Sequence, residues 1–389
     1  MANPFTKPEW DAINAELDSN PQKYGFPKRI AGSALLGSFN VRKLGNASNR
    51  DAQTWNFLAK ICRQFDLLAV QEIMDDLSGI NKLMSLLGPD FGMIISDKTG
   101  VFPGDIGLGE RLGFIFRWTV VKRGEVVSDI SYDRSKVLEI LRKYGPEIIK
   151  ANDEYTLQQT EYESGIRKSP PSLKMPAFLS FIRQPYCVSF SIHGVPGSNP
   201  IQFMAINAHL HFGDYLSDRR QEFDALMEWI NARVKDNDKA YYPNFILMGD
   251  LNLDYNDPEK DRTNIEKHLK TYNDAHGKEV HVNFPFLDPH KGQQSPYRSN
   301  ARLNETFDQI GLFFRHVDLP TFEDNENMPI NETGPDYGVF NFANLFSKAI
   351  LGKTILSLNK TPKANFIARF EHKVSDHMPL WLRLPIPII

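Results

Sequence analysis

The chain has 389 residues, 45 basic and 48 acidic, for a formal charge of −3, with 41% hydrophobic and 12% aromatic residues. That composition is too apolar for a disordered chain and too acidic for a basic nucleic-acid coat, although a local patch can act against the net charge. Two cysteines, Cys62 and Cys187, exclude a disulfide scaffold and a four-cysteine zinc site.

The N-terminal twenty residues are polar and show no secretory apolar run, so cytoplasmic residence is expected, with leaderless export as the other route. No stretch approaches the ~20 apolar residues of a membrane span. Short runs rich in β-branched and aromatic residues then recur and read as buried strands: 34–39, 67–70, 112–116, 186–192, 201–206, 244–248, 306–314 and 380–384. Helical stripes lie between them. Trp55, Leu58, Ile61, Cys62 and Phe65 form one, and Ile80, Leu83, Met84 and Leu87, stopped by Gly88, form a second. Phe223, Leu226, Met227 and Ile230 form a third, with Ser217 as its expected cap. Segments near 133–175, 253–300 and 320–365 break the rhythm and read as surface insertions in a single domain over 1–389, because strand patterns resume after each.

Polar residues stop the apolar runs at six places: Ser38-Phe39-Asn40, Gln71-Glu72, Asn207-Ala208-His209, Gly249-Asp250-Leu251-Asn252, Asp308-Gln309 and Ser375-Asp376-His377. Each has an ordinary structural reading. Gln-Glu after a strand starts a helix or a solvated turn, and Gly-Asp-x-Asn is a turn whose side chains bond their own backbone. Strand ends are nevertheless natural mouths for a site, since rigid strands position polar tips at one rim. Asn207 and His209, two apart, face one side of their strand.

Taken in order, the six motifs resemble the signature of the endonuclease/exonuclease/phosphatase superfamily, over roughly residues 33–385. The resemblance implies an α/β four-layer sandwich, two packed mixed β-sheets flanked by helices. It also implies hydrolysis of phosphate esters with Mg²⁺ or Mn²⁺, hard ions that need only one or two carboxylates. Glu72, Asn40 and Asp376 are the expected metal residues. Asp250 is expected to orient and deprotonate the attacking water, Asn252 to donate to a phosphate oxygen, and His377, oriented by Asp308, to neutralise charge growing on phosphorus. Asn207, Arg42 and Arg111 are expected to hold substrate phosphate, with Lys43 and Arg50 near them. Gly109-Glu110-Arg111 resembles the strand of the deoxyribonuclease I branch in which a glutamate pairs with the histidine of the Asn-x-His motif, here Glu110 with His209. Arg183-Gln184-Pro185 resembles that family's Arg-x-Pro strand entry.

Two departures bear on substrate. Met74 and Asp75 stand where deoxyribonuclease I carries a minor-groove arginine, and Leu108 stands in place of a tyrosine. The minor-groove wedge of that family therefore does not carry over, which weakens the implication of duplex DNA, while Glu110 tilts the resemblance toward a nuclease acting on nucleic acid, DNA foremost, leaving 5′-phosphate and 3′-hydroxyl ends. The alternative is a phosphatase or phosphodiesterase acting on a phosphoinositide, sphingomyelin or a small phosphate ester. A third reading, a catalytically dead binding module, is countered by the presence of Glu72, Asp250 and His377. A cytoplasmic nuclease would need a restricted substrate or a regulatory partner, whose identity the sequence does not carry.

Overall fold

Strands buried on both faces and helices with one apolar stripe build this chain, whose computed structural model describes residues 3–29, 31–99, 109–171, 173–194, 196–211, 216–235, 241–253, 263–276, 281–287, 297–314 and 336–386. The strands are β1 (Ser33–Leu44), β2 (Leu67–Met74), β3 (Phe91–Ile95), β4 (Glu110–Arg117), β5 (Val121–Asp129), β6 (Tyr186–Ile192), β7 (Ile201–His209), β8 (Phe245–Asp250), β9 (His281–Asn283), β10 (Asp308–Phe314), β11 (Tyr337–Val339) and β12 (Leu380–Pro385). The helices are α1 (Lys7–Ser19), α2 (Ala52–Cys62), α3 (Ser78–Leu87), α4 (Arg134–Glu163), α5 (Leu216–Lys235), α6 (Thr263–His276), α7 (Phe342–Leu351) and α8 (Lys360–Lys373).

Two six-stranded sheets result, one ordered β11-β12-β1-β2-β4-β3 and the other β5-β6-β7-β8-β10-β9. Each is mixed: β1 and β2 run parallel, as do β7 and β8, and their other neighbours are antiparallel. The period-2 alternation sorts the side chains. Phe203 and Ala205 of β7, with Ile246 and Met248 of β8, join the core shared with the first sheet. Met204, Ile206, Phe245 and Leu247 turn the other way and pack on Phe223, Leu226, Met227 and Ile230 of α5. The first sheet's helices bury Trp55, Phe57, Leu58 and Ile61 from α2 and Phe342, Leu345 and Phe346 from α7. The four layers expected from the sequence are therefore present.

Local departures from the sequence reading have physical causes. Ser217 lies inside α5, one residue after its start, rather than at its cap. The segment near 320–365 is not a surface insertion where it is described: β11 is an edge strand paired to β12, and α7 buries five of its ten residues. Its polar flanks hid a short apolar helix. The N-terminus carries a helix too, opened by a capping box in which Thr6 Oγ1 accepts from Glu9 N and Glu9 returns to Thr6 N. The segment near 133–175 holds α4, a surface helix of 30 residues that passes through Pro146. The preceding Gly145 has no Cβ to strike the proline ring, which lets the helix continue.

Candidate active site

Because β1, β2, β7 and β8 all run toward one rim while β4 and β10 run away from it, the C-terminal ends of four strands meet the first residues of two others. Asn40, Glu72, His209 and Asp250 come from the former, and Glu110 and Asp308 from the latter. Two interruptions of the ladder aim the first-sheet side chains. The β1–β2 register shifts between Asn40 and Leu44, and the β2–β4 register shifts between Val70 and Ile73. Such bulges re-aim side chains beside active sites. Lys43, Glu72 and Asn252 hold positive φ angles of 44°, 58° and 51°. Non-glycine residues in that region are strained and cluster at functional sites. Gly249 is demanded by close approach of β7, since a Cβ there would lie 1.9 Å from Ala208 O.

Asp250 Oδ2 is the hub. Asn40 Nδ2 donates to it at 3.0 Å, and the Nε2 atoms of His377 and His209 lie at 3.4 and 3.7 Å. Asp250 Oδ1 accepts from Asn252 N at 3.1 Å. Each histidine is held from behind by its own carboxylate at 2.8 Å, His209 Nδ1 by Glu110 Oε2 and His377 Nδ1 by Asp308 Oδ2. The two Nε2 atoms therefore face the same point from opposite sheets. Glu72 Oε1 accepts from Asn40 Nδ2 at 3.1 Å and its Oε2 from Lys43 N at 2.8 Å.

Charge follows from this packing. Burial works against ionisation of Asp250, but attraction to His377 and His209 and the bonds from Asn40 and Asn252 hold its carboxyl below the ordinary range. Glu72 is likewise lowered: burial opposes its charge, and His209, the Lys43 N–H, His377 and Asn40 outweigh burial. His377 is raised well above an ordinary imidazole; burial opposes this, and Asp308 and Asp250 overcome it. Burial pushes Asp308 up, against the pull of His377 and with the help of the Asp250 carboxylate. The Asp308–His377 pair thus keeps its proton to higher pH than a free imidazole would.

Three expected phosphate holders fare differently. Asn207 is fully buried; its Nδ2 donates to Val70 O and Gly113 O at 3.0 and 2.8 Å, and its Oδ1 accepts from Gln71 Nε2 at 2.6 Å. Those bonds tie the two sheets together beneath the site and leave Asn207 no donor for phosphate. Arg111 follows Glu110 on its strand, so alternation turns it to the outer face, where it pairs with Asp75 at 3.3 Å. Arg42 stays at the mouth, 3.4 Å from Asp376. Arg50 is withdrawn: its guanidinium is buried and donates to the carbonyls of Arg42 and Val374. Asn252 Nδ2 donates to Leu210 O at 2.9 Å, leaving one of its two amide hydrogens for a ligand.

Two supporting residues carry no role in the sequence reading. Buried Arg183 has Nε 3.2 Å from Glu110 Oε1 and donates to the carbonyls of His209 and Leu210 at 2.9 and 3.1 Å. Its signal was the Arg-x-Pro strand entry. Ser375 Oγ donates to Asn40 O at 2.8 Å and accepts from Arg42 N and His377 N, fastening the β1 bulge to the His377 loop.

A divalent cation fits one part of this arrangement. The buried Oδ1 atoms of Asn40 and Asp376 accept no hydrogen bond, and the Glu72 carboxylate lies beside them. Oxygen-only donors of this kind suit a hard ion. Asp250, Asp308 and His377 also offer ligand atoms within 4.8 Å of one another, but their facing atoms already engage each other, as a proton relay does.

A family model described as Endonuclease/Exonuclease/phosphatase family matches residues 37–377. Deoxyribonuclease-1 of Gallus gallus is 29% identical over 106 residues, which is 27% of this chain and 36% of that protein, so the match spans about a third of that relative. Among solved structures, an endonuclease/exonuclease/phosphatase family protein from Bacteroides thetaiotaomicron is 14% identical, with 92% of this chain and 99% of that chain covered and a TM-score of 0.46. The human Nocturnin catalytic domain is 13% identical, with 91% and 95% covered and a TM-score of 0.45. A mannosyl-6-phosphatase from Bacteroides thetaiotaomicron is 14% identical, with 90% and 99% covered and a TM-score of 0.45. No described helix is long and apolar enough to cross a membrane.

Proposed function

The chain belongs to the endonuclease/exonuclease/phosphatase family, and from that premise we propose that it is a divalent-metal-dependent nuclease that hydrolyses phosphodiester bonds, DNA foremost, to 5′-phosphate and 3′-hydroxyl ends. The observation that carries this reading is the double pair, Glu110–His209 and Asp308–His377, converging on Asp250. A phosphodiester has an oxygen to be protonated as it leaves and a water to be deprotonated as it attacks, and two oriented imidazoles around one carboxylate serve both needs.

Asp250, held ionised, accepts a proton from the attacking water. The protonated His377, steadied by Asp308, donates to a non-bridging phosphate oxygen as negative charge gathers there. His209, oriented by Glu110, donates its Nε2 proton to the leaving 3′-oxygen, and the proton that Asp250 took from water returns to that Nε2, 3.7 Å away. Asn252 donates its free amide hydrogen to the phosphate, and Arg42 and Lys43 flank the mouth. Mg²⁺ or Mn²⁺ held by Glu72, Asn40 and Asp376 would supply Lewis-acid polarisation of the phosphate.

The test is a substrate panel of supercoiled plasmid, single-stranded DNA, RNA, inositol phosphates and sphingomyelin, each with Mg²⁺, Mn²⁺ or chelator. Cleavage of DNA only with metal supports the reading. Turnover of an inositol phosphate or sphingomyelin, with every nucleic acid intact, replaces it by the phosphatase or phosphodiesterase alternative.

A further inference from the structure

Glu222 is a buried carboxylate near the start of α5, 5% exposed, and it stands outside the set of groups that meet at Asp250. A carboxylate in such a place is costly unless donors meet its oxygens. Both are met by backbone: Oε1 accepts from Ile182 N at 2.5 Å and Oε2 from His211 N at 2.6 Å. Burial raises its pKa, opposed by those two N–H groups and by the charges of Arg183 and His209.

The two N–H groups belong to separate stretches of chain, and both stretches lead to His209. Ile182 precedes Arg183, which donates to His209 O and Leu210 O at 2.9 and 3.1 Å and has Nε 3.2 Å from Glu110 Oε1. His211 follows Leu210, whose N donates to Asp250 O at 2.9 Å and whose O also accepts from Asn252 Nδ2 at 2.9 Å. A ring therefore closes around the imidazole: Glu222 to Ile182, Arg183 to Glu110 and to the His209 carbonyl, and His211 back to Glu222. Glu222 is the member that a helix supplies. One turn before it, on the same face of α5, Arg219 Nη1 donates to Asn252 O at 2.7 Å, so the helix steadies both sides of this corner.

We propose that Glu222 is a positioning residue for His209: by joining the chain ahead of Arg183 to the chain behind His209, it sets the imidazole against Glu110 and toward Asp250. The proposal rests on the reading of His209 as the group that serves the leaving oxygen. It requires both oxygens of Glu222 as acceptors. An amide of the same shape offers one acceptor and one donor, so Glu222→Gln sets an N–H against an N–H at either Ile182 or His211. Glu222→Asp keeps both acceptors on a side chain one methylene shorter.

The two histidine Nδ1 protons report the outcome, because each lies in a 2.8 Å bond to its own carboxylate, Glu110 for His209 and Asp308 for His377. In the full chain labelled with ¹⁵N-histidine, these protons are observed by NMR in the downfield region and assigned with His209→Ala and His377→Ala. Glu222→Gln should shift or broaden the His209 signal and leave the His377 signal in place, whereas general loosening of the fold would disturb both. On a chromogenic phosphodiester with Mg²⁺, the same variant should lower kcat about 10- to 100-fold with KM within about twofold, as a misplaced catalytic group does. Glu222→Asp should recover part of that loss. Added to His209→Ala, Glu222→Gln should cost less than about twofold more, since the two act as a unit; added to Asp308→Asn, its loss should multiply. An unmoved His209 signal in Glu222→Gln overturns the proposal, and so does equal disturbance of both signals or a kcat loss that is undiminished in the His209→Ala background. Should Glu222→Gln fail to fold, the same readings on Glu222→Asp decide, with the His209 signal alone expected to move. A wild-type chain that hydrolyses no phosphodiester defeats the nuclease reading, and the Nδ1 signals then decide the role of Glu222 on their own.

Discussion

Glu110 has two partners, and replacing it in two ways separates them. Its Oε2 faces His209 Nδ1 at 2.8 Å and its Oε1 faces Arg183 Nε at 3.2 Å, all three side chains being buried. Glu110→Gln keeps the shape and an oxygen for one neighbour but removes the charge that orients the imidazole. Turnover of a generic phosphodiester should fall by ~10²–10⁴, or about 3–5 kcal/mol of barrier. Stability should fall by only about 1–2 kcal/mol, the worth of a hydrogen bond to a charged group. Glu110→Ala should lose the same turnover and, in addition, about 3–5 kcal/mol of stability, because the Arg183 guanidinium is left buried without its carboxylate. His209→Ala should match Glu110→Gln in turnover, and the double variant should cost little more than His209→Ala alone, since the pair acts as a unit. The assays are kcat/KM on a chromogenic phosphodiester with saturating Mg²⁺ and urea unfolding of each variant. Losses that multiply in the double variant would refute the paired arrangement, and unchanged urea stability of Glu110→Ala would refute the account of Arg183.

Further outcomes follow from the same geometry. His377 has a raised pKa, so activity that needs its proton should persist through neutral pH and fall as pH rises through that value. Asp308→Asn should bring the alkaline fall down toward ~6.5, which pH–rate profiles would show; an unmoved profile contradicts the pairing. Gly249→Ala should destabilise by about 3 kcal/mol or more, measured by thermal unfolding, because its Cβ would strike Ala208 O. Arg111→Ala should leave kcat/KM within about twofold, while Asn207→Ala should cost about 2–4 kcal/mol of stability by orphaning the cross-sheet bonds from Gln71 and to Val70 and Gly113.

The site was legible in the sequence to the extent that each of its parts closes an apolar run. Asn40, Glu72, His209, Asp250 and Asp308 all sit on strands whose buried cores announce themselves, and the polar interruption then stands out. What the run could not reveal is direction. Glu110 and Arg111 are consecutive and both charged; only the strand's facing, fixed by the Glu110–His209 contact, sends one inward and the other to Asp75. Asn207 failed as a phosphate holder for a related reason, since its partners, Val70, Gln71 and Gly113, lie on the other sheet. The bulges at Asn40 and Glu72 left no sequence mark, because positive φ at a glutamate is imposed by its surroundings rather than by its own preference. In the chain's last third, polar flanks concealed α7, whose apolar face is evident only once it covers the first sheet.

The claim that this site hydrolyses a phosphodiester in nucleic acid is tested most directly by the ends it leaves. A 5′-labelled DNA duplex is incubated with the protein and Mg²⁺, with chelator, or with the His377→Ala variant, and the fragments are offered to a DNA polymerase and to a 5′-phosphatase. The account predicts fragments with extendable 3′-hydroxyl ends and removable 5′-phosphates from the Mg²⁺ reaction alone. An intact duplex under Mg²⁺, in a preparation that releases phosphate from a monoester, would contradict it.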